Sequence, residues 1–489
     1  MAHLGVFEQL RNKESLDGLV EDAIVWATAH GLVMVPAKAE PASAVCHAPI
    51  ALTPVPYPRD TFVRAKSAAE DFSLLMDAVA RDEEYLVRTL SPVAKHDDFV
   101  ARQLGVLQRT AAERAQHRAS ENVISHLRSD YMLHEPTSSL LQVEINTIGV
   151  SFACLGSKTA GLHRHLLGRL GGSEADAERL PGNEALTGLV DAIGAAVRSY
   201  EAAARSAEAR DSPAVVVMRN LYDQQWVQLG LWERHGVRTL RRTLAQLAAQ
   251  AALAERRGDG ARALTVDGER VAVVYYRAGY VPDDYLDPER DWAARELVER
   301  SDAFKLPSVA YQLAGAKKVQ QDLATPGRVE AFFAATATDA EAARAARALV
   351  RSFFAGQWAP GEPEAHEAVA DALARPEAYV LKPQREGGGH NLYGAALRAK
   401  LAEGGEALGA YVLMQRIAPP IHRAVLLRDG AAREADTLSE LGVYSVLVRQ
   451  GGRIVLSQGA GHLVRTKTAD SDEGGVAAGY GVLDSPILV

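Results

Sequence analysis

In LKPQREGGGHNLYG, residues 381–394, a lysine, a glutamate and three consecutive glycines fall within eight positions. Tyr379, Val380 and Leu381 just before them read as a strand, which puts Lys382 at a strand end and Gly387, Gly388 and Gly389 in the loop beyond. Without side chains, glycine amides can approach a ligand closely and converge on an anion, and such a loop is free to move. Taken alone, the glycines describe an ordinary exposed hairpin loop. The flanking charges alter that reading, because a cation suits a phosphate and the Glu386 carboxylate suits its magnesium.

A second group with metal chemistry lies in LQVEIN. Leu141, Val143 and Ile145 alternate with Gln142, Glu144 and Asn146, so Glu144 and Asn146 project from one face of a strand, roughly 7 Å apart at the backbone. Their oxygens can converge on one hard cation, whose remaining positions water and nucleotide phosphates would fill, with Glu386 as a further ligand. On this strand alone, a surface carboxylate with no task reads equally well.

The elements that must position these residues follow from periodicity. Residues 1–205 read as a mainly helical part of a main domain, with helical spacing in EDFSLLMDAVARDEEYLVRTL and in SKTAGLHRHLLGRL, where Ser157 is an expected N-cap. The strands RSDYML and LQVEIN interrupt it. Residues 206–313 form an α/β domain: AVVVM is a buried strand, a helix runs to Gly236, VRTLR is a second strand, another helix runs to ERRGDG, and LTVDGERVAVVYY turns at Asp267-Gly268. RNLYDQQ and RAGY then sit at carboxyl ends of strands, where α/β sheets hold ligands. Residues 314–349 return to the main domain, 350–435 form a smaller module with the glycine-rich loop, and 436–489 add a hairpin at Gln450–Gly452 and a second small-residue loop in DEGGVAAG. The fold class is mixed α/β.

The chain's 489 residues, 47% of them hydrophobic, are enough for several domains with a large core. A net charge of −8 with no dense basic run argues against a nucleic-acid groove. No apolar run is long enough to span a bilayer and the N-terminal stretch lacks a signal pattern, so the expected location is cytoplasmic, with no membrane partner. Cys46 and Cys154 are far apart and read as buried free thiols.

Three motifs fail on context. LGSKTAG has its lysine two residues after Gly156 rather than next to it, and reads as a helix start; GDGARA follows a charged helix instead of a strand. His163 and His165 do not share a helix face and read as part of a solvated helix.

RSDYM, VEINTI, RNLYDQQ, QLAGAKKVQQ, LKPQREGGGHNLYG and VRTK…GGVAAG occur in one order, and together they resemble eukaryotic-type glutathione synthetase over essentially the whole chain. The resemblance implies an ATP-grasp fold with a main domain, an α/β substrate-binding domain and a glycine-rich lid. It also implies a homodimer that ligates γ-glutamylcysteine to glycine with ATP and magnesium, through an acylphosphate. Position by position, it makes Glu144, Asn146 and Glu386 the magnesium ligands, and Arg128, Lys382 and Arg465 the catalytic residues. Nucleotide contacts fall on Glu144, Lys317, Lys382, Glu386, Gly387, Gly388, Gly389, Asn391, Tyr393, Met414, Gln415, Arg416, Ile417, Glu440, Lys467 and Glu473. Substrate contacts fall on Arg128, Ile148, Gly149, Val150, Ser151, Met218, Arg219, Asn220, Gln224, Arg277, Ala278, Gly279, Tyr280, Arg465, Val476 and Ala477. Arginines suit a substrate with carboxylates, and small residues around Val476 suit glycine.

Some positions depart from the family pattern. Gly149 replaces a serine, Ala278 an acidic residue, Gln415 and Arg416 a Glu-Lys pair, and Glu473 an aspartate. None removes a magnesium ligand or a phosphate lysine. Two rival readings remain: a ligase using another amine such as β-alanine, which the small Val476–Ala478 run opposes, and a non-catalytic nucleotide-binding protein, which should have lost such a residue.

Overall fold

The computed structural model describes residues 5–11, 13–35, 44–117, 121–204, 214–217, 221–254, 261–336, 340–384, 390–471, 474–476 and 479–489. Its organising element is an eleven-stranded sheet among those residues. The apolar runs Ala214–Val217 and Val273–Tyr276 lie parallel, flanked by Thr239–Arg242 on one side and by Phe304–Leu306 and then Asn122–His134 on the other. Asn122–His134 continues the sheet in antiparallel sense to Ala431–Gln450, which pairs with Arg453–Thr468 and through it with Gly481–Asp484. Ser139–Asn146 pairs with the far half of Asn122–His134. His422–Arg428, within the 350–435 span, also joins this large sheet.

Strand alternation divides the core. Val443 and Leu447 enter one apolar layer, with Phe72, Leu75 and Met76 of the helix Ala69–Arg81, while Tyr444, Val446 and Val448 enter the other, with Leu155, Leu166 and Ile193. Gln357–Trp358, Tyr411–Gln415 and Tyr379–Pro383 make a separate small antiparallel sheet with Tyr411–Gln415 in its middle. Leu381 and Leu413 of this sheet pack on Ala372, Leu397 and Leu401 of two helices. Among the described residues, no helix is long and apolar enough to cross a membrane.

The mixed α/β expectation holds, with local corrections. EDFSLLMDAVARDEEYLVRTL is two helices, broken at Asp82, whose carboxylate caps the second by accepting from the Tyr85 N–H. Ser157 does not cap its own helix: that helix starts at Ala153, and the Ser157 hydroxyl donates back to the Ala153 carbonyl while accepting from the Leu186 N–H at the start of the helix Ala185–Ala204. LGSKTAG therefore lies inside a helix rather than starting one. After VRTLR the helix is only Leu244–Gln250, and the following alanines enter a strand, Ala251–Leu253, because pairing with Leu264–Val266 overrides alanine's helix propensity. His163 is buried rather than solvated, with its ring nitrogens bonded to Ser485 Oγ and the Ala51 carbonyl. Both cysteines are free, but Cys46 is only half-buried. The Asp267-Gly268 hairpin turns as expected, with φ of 52° and 79°.

Candidate active site

Alternation and register alone gather the polar core of the site. Arg128 and Asp130 share one face of Asn122–His134, where Arg128 lies opposite Asn146 and Asp130 opposite Glu144. On the other flank Asp130 faces Gly442, and two residues along the same strand Glu440 faces Arg465. Gly442 leaves the room needed: a Cβ there would lie 2.7 Å from Arg128 Cδ and 2.8 Å from Asp130 Oδ1.

Into that room folds a buried hub. Arg128 donates from Nε and Nη2 to the two oxygens of Asp130, at 2.6 and 2.8 Å. Asp130 Oδ2 also accepts from Asn146 Nδ2 and from Arg465 Nη2, each at 2.9 Å. Arg465 donates as well to the Glu440 carboxylate.

Two lysines approach from other elements. Lys317 opens the helix Lys317–Ala324 and brings its Nζ to 3.8 Å from Glu144 Oε2. One turn on, Gln320 acts as a strand substitute: its Oε1 accepts from the Ile145 N–H at 2.7 Å and its Nε2 donates to the Ile145 carbonyl at 3.1 Å. Lys382, near the end of Tyr379–Pro383, donates to the Val143 carbonyl at 3.0 Å. Burial resists charge on Glu144, but Lys317, Lys382, Arg465 and Arg128 outweigh it and bring its carboxyl down to about 2. Glu440 moves the other way: burial, opposed by Arg465 and reinforced by Asp130 and Glu144, raises it.

The donors fit a magnesium site. Asn146 Nδ2 is committed to Asp130, which leaves the amide oxygen and the Glu144 carboxylate, two positions apart on one strand, as a pair of hard oxygen donors. Among the described residues, no group of three or more His, Cys, Asp or Glu could hold a metal. Two protein oxygens are the sparse set that magnesium accepts when phosphates complete its shell.

A cavity of about 990 Å³ opens over the cluster and is lined by Arg128, Glu144, Asn146, Lys317, Lys382 and Arg465. Its wall includes the Ile148–Ser151 loop, where Gly149 has φ 62° and lies against the Tyr280 ring, with no Cβ to hold the ring away. The Ser151 carbonyl accepts from the Tyr444 hydroxyl at 2.8 Å. Another wall holds Asn391, Tyr393, Met414, Gln415, Arg416 and Ile417, with the Arg416 guanidinium 5.5 Å from the Tyr393 ring centre. Glu440, Lys467 and Val476 line it as well.

Gln224, Arg277, Ala278 and Gly279 are not on this lining. Arg277 is buried and donates to Asp223 at 3.0 Å and to the Tyr275 hydroxyl at 3.2 Å, while Asp223 also holds the Phe152 N–H at 2.9 Å. That ties the residue after the 148–151 loop to the helix Leu221–His235 and, through Arg277, to the end of the strand Val273–Tyr276. Met218, Arg219, Asn220, Glu386, Gly387, Gly388, Gly389, Glu473 and Ala477 lie outside the described residues.

Asp130, Asp223, Gln320 and Gly442 were not singled out from sequence. Asp130 carried a local signal, since it stands two residues from Arg128 on one strand and must share its face. The other three depend on contacts between distant segments, for which the sequence holds no local sign.

The chain matches the family described as eukaryotic glutathione synthase, ATP binding domain, over residues 13–488. It is 41% identical over 487 residues to the chloroplastic glutathione synthetase of Solanum lycopersicum, covering 96% of this chain and 84% of that one. Identity to the glutathione synthetase of Homo sapiens is 38%, with 98% of each covered, and to that of Dictyostelium discoideum 37%, with 97% and 100% covered. In fold, it matches a glutathione synthetase-like effector from Globodera pallida with a TM-score of 0.73 at 21% identity, over 98% of each chain.

Proposed function

The chain belongs to the eukaryotic glutathione synthase family, and from that premise we propose that it joins γ-L-glutamyl-L-cysteine to glycine, converting ATP to ADP and phosphate. The observation that carries this reading is one cavity in which the oxygen donors of Glu144 and Asn146 meet Lys317, Lys382, Arg128 and Arg465. A carboxylate anion does not form an amide without activation. ATP therefore transfers its γ-phosphoryl to the dipeptide's cysteinyl carboxylate, and the free amine of glycine attacks the acylphosphate carbon as phosphate leaves.

No protein nucleophile is needed for this chemistry; it needs positioning and charge neutralisation. In this reading Lys317 and Lys382 hold nucleotide phosphates, and Arg128 and Arg465 grip carboxylates of substrate and product. Glu144 and Asn146, joined by Glu386 from the glycine-rich loop, would hold magnesium, which when bound neutralises phosphate charge. Gly387 to Gly389, Asn391 and Tyr393 cover the nucleotide, Met414 to Ile417 receive its base, and Lys467 and Glu473 complete its contacts. Ile148 to Ser151, Met218 to Asn220, Gln224 and Arg277 to Tyr280 hold the dipeptide, and Val476 and Ala477 bound the glycine end. The reading includes a cytoplasmic homodimer.

Phosphate release, followed while each component is omitted in turn, tests the proposal. Release is expected only with ATP, magnesium, γ-glutamylcysteine and glycine together. Equal release without the dipeptide would overturn it.

A further inference from the structure

We propose that Asp130 is the positioning residue of this site, holding Arg128, Arg465 and the amide of Asn146 in one arrangement and so tying the dipeptide half of the cavity to its metal half. The assignment rests on the functional reading above. Asp130 does not itself line the cavity, yet all three of its partners do. Those partners come from three strands: Arg128 from Asp130's own, Asn146 from the strand on one flank, and Arg465 from beyond the strand on the other.

Each bond has a separate chemical consequence. The bidentate pair with Arg128, at 2.6 and 2.8 Å, fixes the plane of the guanidinium and leaves Nη1 as the nitrogen not bound to Asp130. The 2.9 Å bond from Asn146 Nδ2 fixes which end of that amide is available, so an oxygen rather than an NH2 group is left for a cation. The 2.9 Å bond from Arg465 shares that guanidinium with Glu440, on the nucleotide side. A single carboxylate is the acceptor for all three, and it is buried, so little water competes for it.

A residue with only a structural role would, when changed, alter the fraction of folded enzyme and its stability. A positioning residue changes two binding properties at once: affinity for the dipeptide, through Arg128 and Arg465, and the magnesium dependence of nucleotide binding, through Asn146. An error of 1 Å in such groups can cost about 100-fold in rate.

The test compares full-length wild type with Asp130→Asn and Asp130→Glu. The first removes the charge and turns an NH2 group toward Arg128, and the second keeps the charge but displaces it. Readouts are the thermal midpoint, the KM for γ-glutamylcysteine, and the affinity for a non-hydrolysable ATP analogue with and without magnesium. A folded variant is expected to show the dipeptide KM raised at least about 10-fold, together with loss of most of the magnesium-dependent gain in analogue affinity. A folded variant that keeps both quantities within about two-fold of wild type would overturn the proposal. Failure of both variants to fold would also overturn it, by making Asp130 a determinant of the fold. If the wild type itself does not turn over, the functional reading falls, while the analogue-binding comparison still decides the role of Asp130.

Discussion

At Gly442 the decisive atom is one that is missing. Its Cβ would intrude on both members of the Arg128–Asp130 pair, at 2.7 and 2.8 Å, and neither can retreat because both are buried. Gly442→Ala should therefore displace the pair and lower kcat/KM for the dipeptide by about 10- to 100-fold, with an overpacking loss of about 1–3 kcal/mol in stability. Steady-state kinetics alongside urea denaturation would check this; unchanged kinetics would show that the pair has room to move. At this scale the sequence was legible for side chains with obvious chemistry. Arg128, Glu144, Asn146, Lys317, Lys382 and Arg465 were expected in one site and line one cavity. The partners that orient them were less legible. Asp130 was readable from its spacing to Arg128, but Gly442 acquires its meaning only from the register of Ala431–Gln450 against Asn122–His134.

Among elements, the strand carrying Glu144 and Asn146 pairs with Asn122–His134 and is held further by a side chain. Gln320 satisfies both backbone groups of Ile145, at 2.7 and 3.1 Å, and the same helix begins with Lys317. One contact thus ties the strand of Glu144 and Asn146 to the helix that begins with Lys317. Gln320→Leu would leave buried backbone groups without partners and should cost about 1–3 kcal/mol in chemical denaturation, with a raised KM for ATP. A loss well below that range would mean that water replaces the amide. Strands such as LQVEIN were legible because alternation is a local signal. The alanine-rich stretch after Leu244 was misread because its composition favours a helix while its pairing with Leu264–Val266 is a tertiary effect. The helix break at Asp82 was a capping signal within an otherwise continuous helical period.

Across the whole molecule, the strands that carry Arg128, Asn146, Glu440 and Arg465 belong to one large sheet, whose stability has a readable pH dependence. Asp484 lies in Gly481–Asp484, accepting from Thr466 Oγ1 at 2.6 Å and from the Ser485 N–H at 2.7 Å. Burial pushes its carboxyl from 3.8 up to about 7 despite those bonds. The folded chain then binds this proton more tightly than the unfolded chain. The resulting stabilisation is full below 3.8 and is lost as pH rises through about 7. Wild-type unfolding free energy should therefore fall across that window more steeply than that of Asp484→Asn, by up to about 1.4 kcal/mol per pH unit. Identical slopes from urea titrations at several pH values would refute the assignment. Fold class and overall function were legible at this scale because six motifs recur in one order; the strand order that unites them was not, since it depends on pairings such as Lys305 with Val123. That pairing also bears on modularity. The 206–313 segment looks like a cassette in sequence, but Phe304–Leu306, Val273–Tyr276, Ala214–Val217 and Thr239–Arg242 run on from Asn122–His134 as one end of the large sheet. Excising it, or swapping it for another module, would uncover the first part of Asn122–His134, ahead of the half paired with Ser139–Asn146, and leave unpaired N–H and C=O groups there, a template for self-association. Substrate preference in this architecture is therefore more open to change through loop residues than through exchange of a whole unit.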